Sequence, residues 1–200
     1  MSDATLPASD GRRVRRERGR QAVLDAVVDL LHVHGRAPTT SEITERSGVS
    51  SATIFRYFAS LDDLQHQATE HHFARSRHLF EIPDPGSGPL DDRIHRYVAT
   101  RVELHAHIAP VARYGRSQAL SRPLFAANLR QVRRWQADLA RAHFATEVAA
   151  LTPAAGDDLV AAIATLTSFE SWDQLTTDLD RTDRQIRRAW TTALTSLLNR

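Results

Sequence analysis

Two hundred residues can build one large domain or two small ones around a buried core, and a formal charge of +2 is too small to make the whole chain a polycation. The absence of cysteine excludes a disulfide framework, a thiolate zinc site and a cysteine nucleophile, and no apolar run approaches the roughly 18 residues of a membrane helix. The charge is uneven: residues 11–20, GRRVRRERGR, hold six arginines against one glutamate, which leaves −3 for the rest, and every strong base in the chain is arginine.

Residues 1–10 are small and polar without periodicity, and residues 1–18 are expected to form a disordered basic arm. From Arg20 to His34 the apolar positions Val23, Val27, Leu30 and Leu31 recur at i, i+4, i+7 and i+8, one face of a helix that Gly35 ends. Thr39 and Glu42 have capping-box spacing for a second helix, Gly48 supplies its left-handed stop, and Ser50 caps a third. Two short helices joined by a glycine turn make a helix-turn-helix, whose second helix enters the major groove of DNA. Ile43, Val49, Ile54 and Phe58 are its apolar anchors, while Ser50, Ser51, Thr53, Arg56 and Tyr57 suit phosphates and base edges. Ser60 opens a fourth helix, expected from Leu61 to Phe80 and about 30 Å long.

The segment IPDPGSGPLDD, residues 82–92, reads as a surface loop. Ile94, Val98, Val102 and Leu104 then mark a helix that Pro110 ends or kinks, followed by a short helical piece over 111–120. Ser121 and Pro123 signal the start of a long helix reaching about Ala150, with Val132, Trp135, Leu139, Ala142 and His143 on one face. Thr152 and Pro153 separate it from a segment over 156–179, and Ile186, Trp190, Ala193, Leu194 and Leu197 give a last helical stripe. With no hairpin dipeptide and no period-two alternation, the fold is expected to be all-α, about nine helices: a three-helix head over 19–60 and a helical-bundle body over 61–200.

The head resembles the tetracycline-repressor (TetR) family of bacterial transcription regulators. Thr40, Ile43, Gly48, Val49, Ser50, Ala52, Thr53, Phe55, Tyr57, Phe58 and Leu64 match that family's pattern, as do Arg20, Leu24, Ala26, Leu30 and Gly35 in the helix before it. The similarity covers about the first third of the chain at the level of motifs; beyond it only length and helix layout agree. Phe55 stands where relatives have tyrosine and Leu61 where they have a lysine, so two contacts to the DNA backbone are missing. The resemblance implies that Thr40, Thr53 and Tyr57 hold phosphates while Ser51, Ala52 and Arg56 face the groove, with Ser50 and Phe55 beside them. Arg56 is the candidate for a base contact, since a guanidinium pairs with guanine O6 and N7. Arg15, Arg16, Arg18 and Arg20 of the arm are candidates for the minor groove or phosphates.

In the body, Phe73, Tyr97, Arg101, His105, Tyr114, Phe125, Trp135, Phe169 and Trp172 mix aromatic walls with a few polar handles, the composition of a small-molecule pocket. Arg101 and His105, four residues apart on one face, suit an anionic or hydrogen-bonding effector. By resemblance, Val160, Ala164, Thr167, Trp190, Leu194 and Leu197 belong to a four-helix dimer interface, which would place two heads on half-sites about 34 Å apart. The ten histidines lack the paired Glu-x-x-His or His-Glu-x-x-His spacing of known metal sites, and no Gly-x-Ser-x-Gly elbow is present, so neither metal, cofactor nor catalysis is expected. The expectation is a cytoplasmic, homodimeric repressor that binds a palindromic duplex DNA operator, has no membrane segment and is released by a small-molecule effector. The alternatives are a DNA-binding regulator without an effector, and a helical-bundle enzyme or metal protein.

Overall fold

The computed structural model describes residues 8–199, and residues 1–7 of the expected arm lie outside them. Among the described residues there are nine helices of seven residues or more, one five-residue helix and a 3-10 turn, with no strand. In chain order they are α1 (Ala8–His34), α2 (Thr40–Ser47), α3 (Ser51–Tyr57), α4 (Leu61–Arg75), the 3-10 turn (Arg77–Leu79), α5 (Leu90–Ala119), α6 (Pro123–His143), α7 (Ala145–Ala149), α8 (Pro153–Leu166), α9 (Phe169–Thr177) and α10 (Asp183–Leu198).

The first three connections form as local chemistry demands. Gly35 takes φ 63° and returns its N–H to the Leu31 carbonyl, ending α1. The Thr39 hydroxyl accepts from the Glu42 backbone N–H while the Glu42 carboxylate accepts from the Thr39 N–H at 2.7 Å, a complete capping box. Gly48, at φ 68°, closes α2, and the Ser50 and Ser60 hydroxyls cap α3 and α4. Val23, Leu24, Val27, Leu31, Ile43, Ile54, Phe58 and Leu64 converge in one apolar core. That core does not stop at residue 60. It also takes in Ala68 of α4, Val111 and Tyr114 of α5 and Phe125 of α6, so head and body share packed surface.

Three elements differ from the sequence expectation. Residues 8–18 continue α1 as helix instead of forming a disordered arm; arginine is a good helix former, and Glu17 stands 3.8 Å from Arg20 one turn on. The fourth helix stops at Arg75, about 22 Å from its start, because the chain tightens into the 3-10 turn at Ser76. Pro110 does not end α5: the helix runs through it for 30 residues. Ile108, Ala109, Val111 and Ala112 on both sides of the proline are buried, and this packing outweighs the lost hydrogen bond.

α5 is the axis of the body, packed by α1, α4, α6, α9 and α10. Its second core joins Ile94, Tyr97, Val98, Val102, Leu104 and Ile108 to Phe144, Ile163, Phe169, Trp190 and Leu194. The sequence segment 156–179 is broken into α8 and α9 by two residues, Thr167 and Ser168. Thr167 turns its hydroxyl back to the Ile163 carbonyl at 2.8 Å, and Ser168 then caps α9. α6 likewise ends at His143, with buried Phe144 at φ −109° starting α7.

Candidate nucleic-acid interface

The polar residues of the helix-turn-helix fall on one side. On α3, Ile54 faces the core, and Phe58 at its C-cap does the same. Ser51, Ala52, Phe55 and Arg56 lie on the outer side and are exposed, as is the cap Ser50, while Thr40, Thr53 and Tyr57 are half-buried at its margin. Phe55 is 49% exposed, so it does not serve as a packing anchor within the chain.

The geometry of this face is held from behind. Ser50 and Thr53 hydroxyls lie 3.0 Å apart, and an Arg56 Nη approaches the Thr53 hydroxyl at 3.5 Å. Arg36 grips Glu42 with two nitrogens at 3.1 and 2.5 Å; that pairing, with the bonds from Thr39, holds the Glu42 carboxyl down at about 2. The Glu42 charge therefore persists at the first turn of α2, where the helix dipole favours it. At the other end of α2, Arg46 meets Asp29 of α1 at 2.6 Å.

Sequence reasoning missed the partner of Tyr57. Its hydroxyl lies against α1 where a Cβ on Gly19 would come within 2.9 Å, so this mid-helix glycine makes room for the tyrosine. The one available signal was a glycine inside an otherwise strong helical run. The arginines of the arm separate into two sets. Arg15, Arg16 and Arg18 are exposed on the extension of α1. Arg20 is engaged within the chain, donating to Gln67 of α4 and lying 5.4 Å over the Phe58 ring.

The nine residues expected to form one pocket occupy three places. Phe73 and Phe125 line a crevice between α4, α5 and α6 with Thr69, Ile108 and Val132, enclosing about 20 Å³, room for about one water. Trp135 stacks on Phe80 at 4.8 Å beside that crevice, with the Arg77 guanidinium 5.2 Å over it. Tyr114 donates to Gln65 of α4 at 2.6 Å in the joint between head and body, where burial pushes its hydroxyl up to about 12. The other five, Tyr97, Arg101, His105, Phe169 and Trp172, form a separate buried group between α5 and α9.

The expected dimer set also divides. Val160, Thr167, Trp190 and Leu194 are buried within the single chain, so they are core residues and not an outer face. The reason is that the apolar stripes of α8 and α10 turn inward onto α6 and α5. Ala164 and Leu197 remain half-exposed, and the outward faces carry Ala161, Ala162 and Thr165 on α8 and Ala189, Thr192 and Ser196 on α10.

An open groove of about 600 Å³ lies at the junction of α1, α4 and α5, lined by His32, His71, His72, His78 and His107 with Asp25 and Arg75. Burial, then its histidine neighbours, lowers His72 to about 4, so its ring is neutral. No group of three or more histidine and acidic side chains among the described residues could hold a metal ion. No described helix is long and apolar enough to cross a membrane.

Residues 23–68 match the profile of bacterial regulatory proteins of the tetR family. Over 89 residues, 44% of this chain, the sequence is 35% identical to the HTH-type transcriptional repressor LfrR of Mycolicibacterium smegmatis. That match spans about half of the relative's length, 47%. Two solved structures share the fold over 92% of this chain. One is a transcriptional regulator from Rhodococcus sp. Rha1, at 14% identity, 96% of its own chain and a TM-score of 0.64. The other is a transcriptional regulator from Pseudomonas aeruginosa PAO1, at 16% identity, 92% of its chain and the same TM-score. At such identities the likeness is one of fold.

Proposed function

We propose that this chain is a regulator of the tetR family that represses transcription by binding a palindromic DNA operator as a homodimer that a small molecule releases. The observation that carries the DNA reading is the exposed outer side of α3, with Ser51, Ala52, Phe55 and Arg56 outward on a helix capped and braced from behind. Arg56 reads a base, while Ser50, Thr53, Tyr57 and Thr40 hold phosphates; Arg15, Arg16 and Arg18 extend the positive surface along α1. The repressor assignment is supported by the 35% identity to a protein named as one.

A seven-residue recognition helix is about 10 Å long and reaches few base pairs, so two copies on half-sites one turn apart supply the specificity a single copy lacks. The outward faces of α8 and α10, with their small side chains and the half-exposed Ala164 and Leu197, are the surface for that pairing. Small residues allow helices of two subunits to approach closely.

A ligand in the body acts by favouring one spacing of the two heads over another; one that binds both spacings equally shifts nothing. The route is short, because α5 belongs to both cores. The test is a mobility-shift titration on duplex DNA from upstream of the chain's own gene, with the complex sized by light scattering. A retarded, sequence-specific complex of two chains per operator is expected. Failure to retain any duplex from a random pool would sink the proposal.

A further inference from the structure

α5 buries two arginines, and the fold treats them in opposite ways. Arg93 is fully partnered: its Nη atoms meet Glu147 at 2.8 and 2.5 Å and its Nε donates to the Gly88 carbonyl at 3.2 Å. Arg101, two turns on, is completely buried, yet its Nε, Nη1 and Nη2 have no hydrogen-bond partner among the described residues. Its nearest charged neighbour on the helix, Glu103, points elsewhere and pairs with Arg187 at 3.1 Å. Glu170 is already held by Arg116 and Arg133. A cationic side chain taken wholly out of water with no counter-charge is among the most costly arrangements a core can hold, and it is retained where something else completes it.

The groups around His105, one turn along α5 from Arg101, share its condition. The indole N–H of Trp172 and that of Trp190 are buried and unpartnered, as is Nδ1 of His105. His105 places its Nε2 3.0 Å from the Thr167 carbonyl, which can only accept, so Nε2 carries the ring proton and Nδ1 is left as an acceptor. The Thr167 hydroxyl donates to the Ile163 carbonyl and accepts from the Tyr97 hydroxyl at 3.1 Å, so it has no proton left to offer His105. The unmet demand is therefore mainly for acceptors: a guanidinium fork and two indole donors. The walls are apolar and aromatic. Tyr97 lies 5.5 Å from the Arg101 Cζ, and the rings of Phe169, Trp172 and Trp190 lie 5.7, 6.2 and 6.2 Å from that of His105.

We propose that Arg101 is the anchor of a ligand site between α5, α9 and α10, and that the ligand is a small monocarboxylate with an apolar or aromatic body. The inference rests on the reading above, that the body receives a small-molecule effector, and gives that effector a chemical class. A planar carboxylate matches the guanidinium fork with two parallel hydrogen bonds. One unpaired cation balances one negative charge, which favours a monoanion over a phosphate dianion. From Arg101 to Tyr114 is 13 residues of α5, about 20 Å, so the anchor and the joint to the head lie on one continuous helix.

The test uses the full chain with formate, benzoate and octanoate, each beside its neutral amide, read by calorimetry and by melting temperature. At least one carboxylate is expected to bind at least tenfold more tightly than its amide. Arg101→Met is expected to erase that preference, and without ligand to melt no lower than the parent, because it removes an uncompensated charge at similar volume. Three acids that bind no better than their amides would overturn the proposal without reference to any variant. A preference that survives Arg101→Met would overturn it as well, as would a variant that loses stability because bridging water already satisfies the guanidinium. Mobility shifts run in parallel separate the two readings. Carboxylate binding that leaves operator affinity unchanged supports the site and removes ligand control. Operator release by the neutral amides alone keeps ligand control and removes the anion site.

Discussion

The head and the body of this chain solve the same packing problem with different chemistry. The head closes over aliphatic and aromatic side chains, Val23 to Leu64, and keeps its charged groups outside, where Arg36 meets Glu42 and Arg46 meets Asp29. The body buries Arg93, Arg101, His105, Gln136, His143 and Thr167 among its apolar residues. A core of the first kind specifies one shape and holds it. A core of the second kind is exacting, since each polar group must find a partner or remain a source of instability. The proposed DNA-reading surface is thus built on the part with least internal conflict, and the part proposed to receive an effector carries the unresolved polarity.

The comparison can be broken most severely at Phe58, a fully buried side chain on which the Arg20 guanidinium also rests. Phe58→Ala should cost about 3–5 kcal/mol in urea unfolding and take DNA binding with it. Next is the paired arginine of the body. Glu147→Ala leaves Arg93 buried without its counter-charge and should cost about 3 kcal/mol, measured the same way. If that loss matched an exposed pair, near 1 kcal/mol or less, the contrast between paired and unpaired body arginines would lose its force. Smaller again is Arg56→Ala, on an exposed side chain: discrimination between operator and non-operator DNA should fall by about 1–3 kcal/mol while the melting temperature stays put. An equal loss on all sequences would make Arg56 a phosphate contact.

The smallest effect is on pH. His72 and His105 are lowered from 6.5 to about 4 and about 3, both chiefly by burial, so the unfolded chain takes up protons first as the solution is acidified. Stability should be complete above about pH 6.5 and decline as the pH falls toward 4. His72→Phe, in a site already walled by His32, Phe73 and His107 rings, should flatten the upper part of that decline in unfolding midpoints measured from pH 7 to pH 5.

What could be read in advance follows from the range over which each signal acts. The caps at Thr39, Ser50 and Ser60 and the stop at Gly48 depend on three or four consecutive residues, and they stand where local spacing puts them. Pro110 misled because a proline's local cost is visible in sequence while the packing of Ile108 and Ala112 that outweighs it is not. The inward stripes of α8 and α10 misled for a related reason. Both faces of α8 are apolar or small, so periodicity alone could not tell which faced the subunit's own core, and Val160, Thr167, Trp190 and Leu194 proved to be inside. The spacing of Arg101 and His105 was legible as a shared face; the absence of any acceptor for Arg101 among the described residues depends on the helices packed against α5 and was not.

The three tryptophans, Trp135, Trp172 and Trp190, lie on α6, α9 and α10, and the head has none. Emission excited at the indole band therefore reports the body alone, and an operator docking on α3 adds no nearby indole to perturb. A change in that emission when duplex DNA docks on α3 would report on the packed surface that α1, α4, α5 and α6 share. The unmodified protein thus carries its own optical gauge of communication between its two halves.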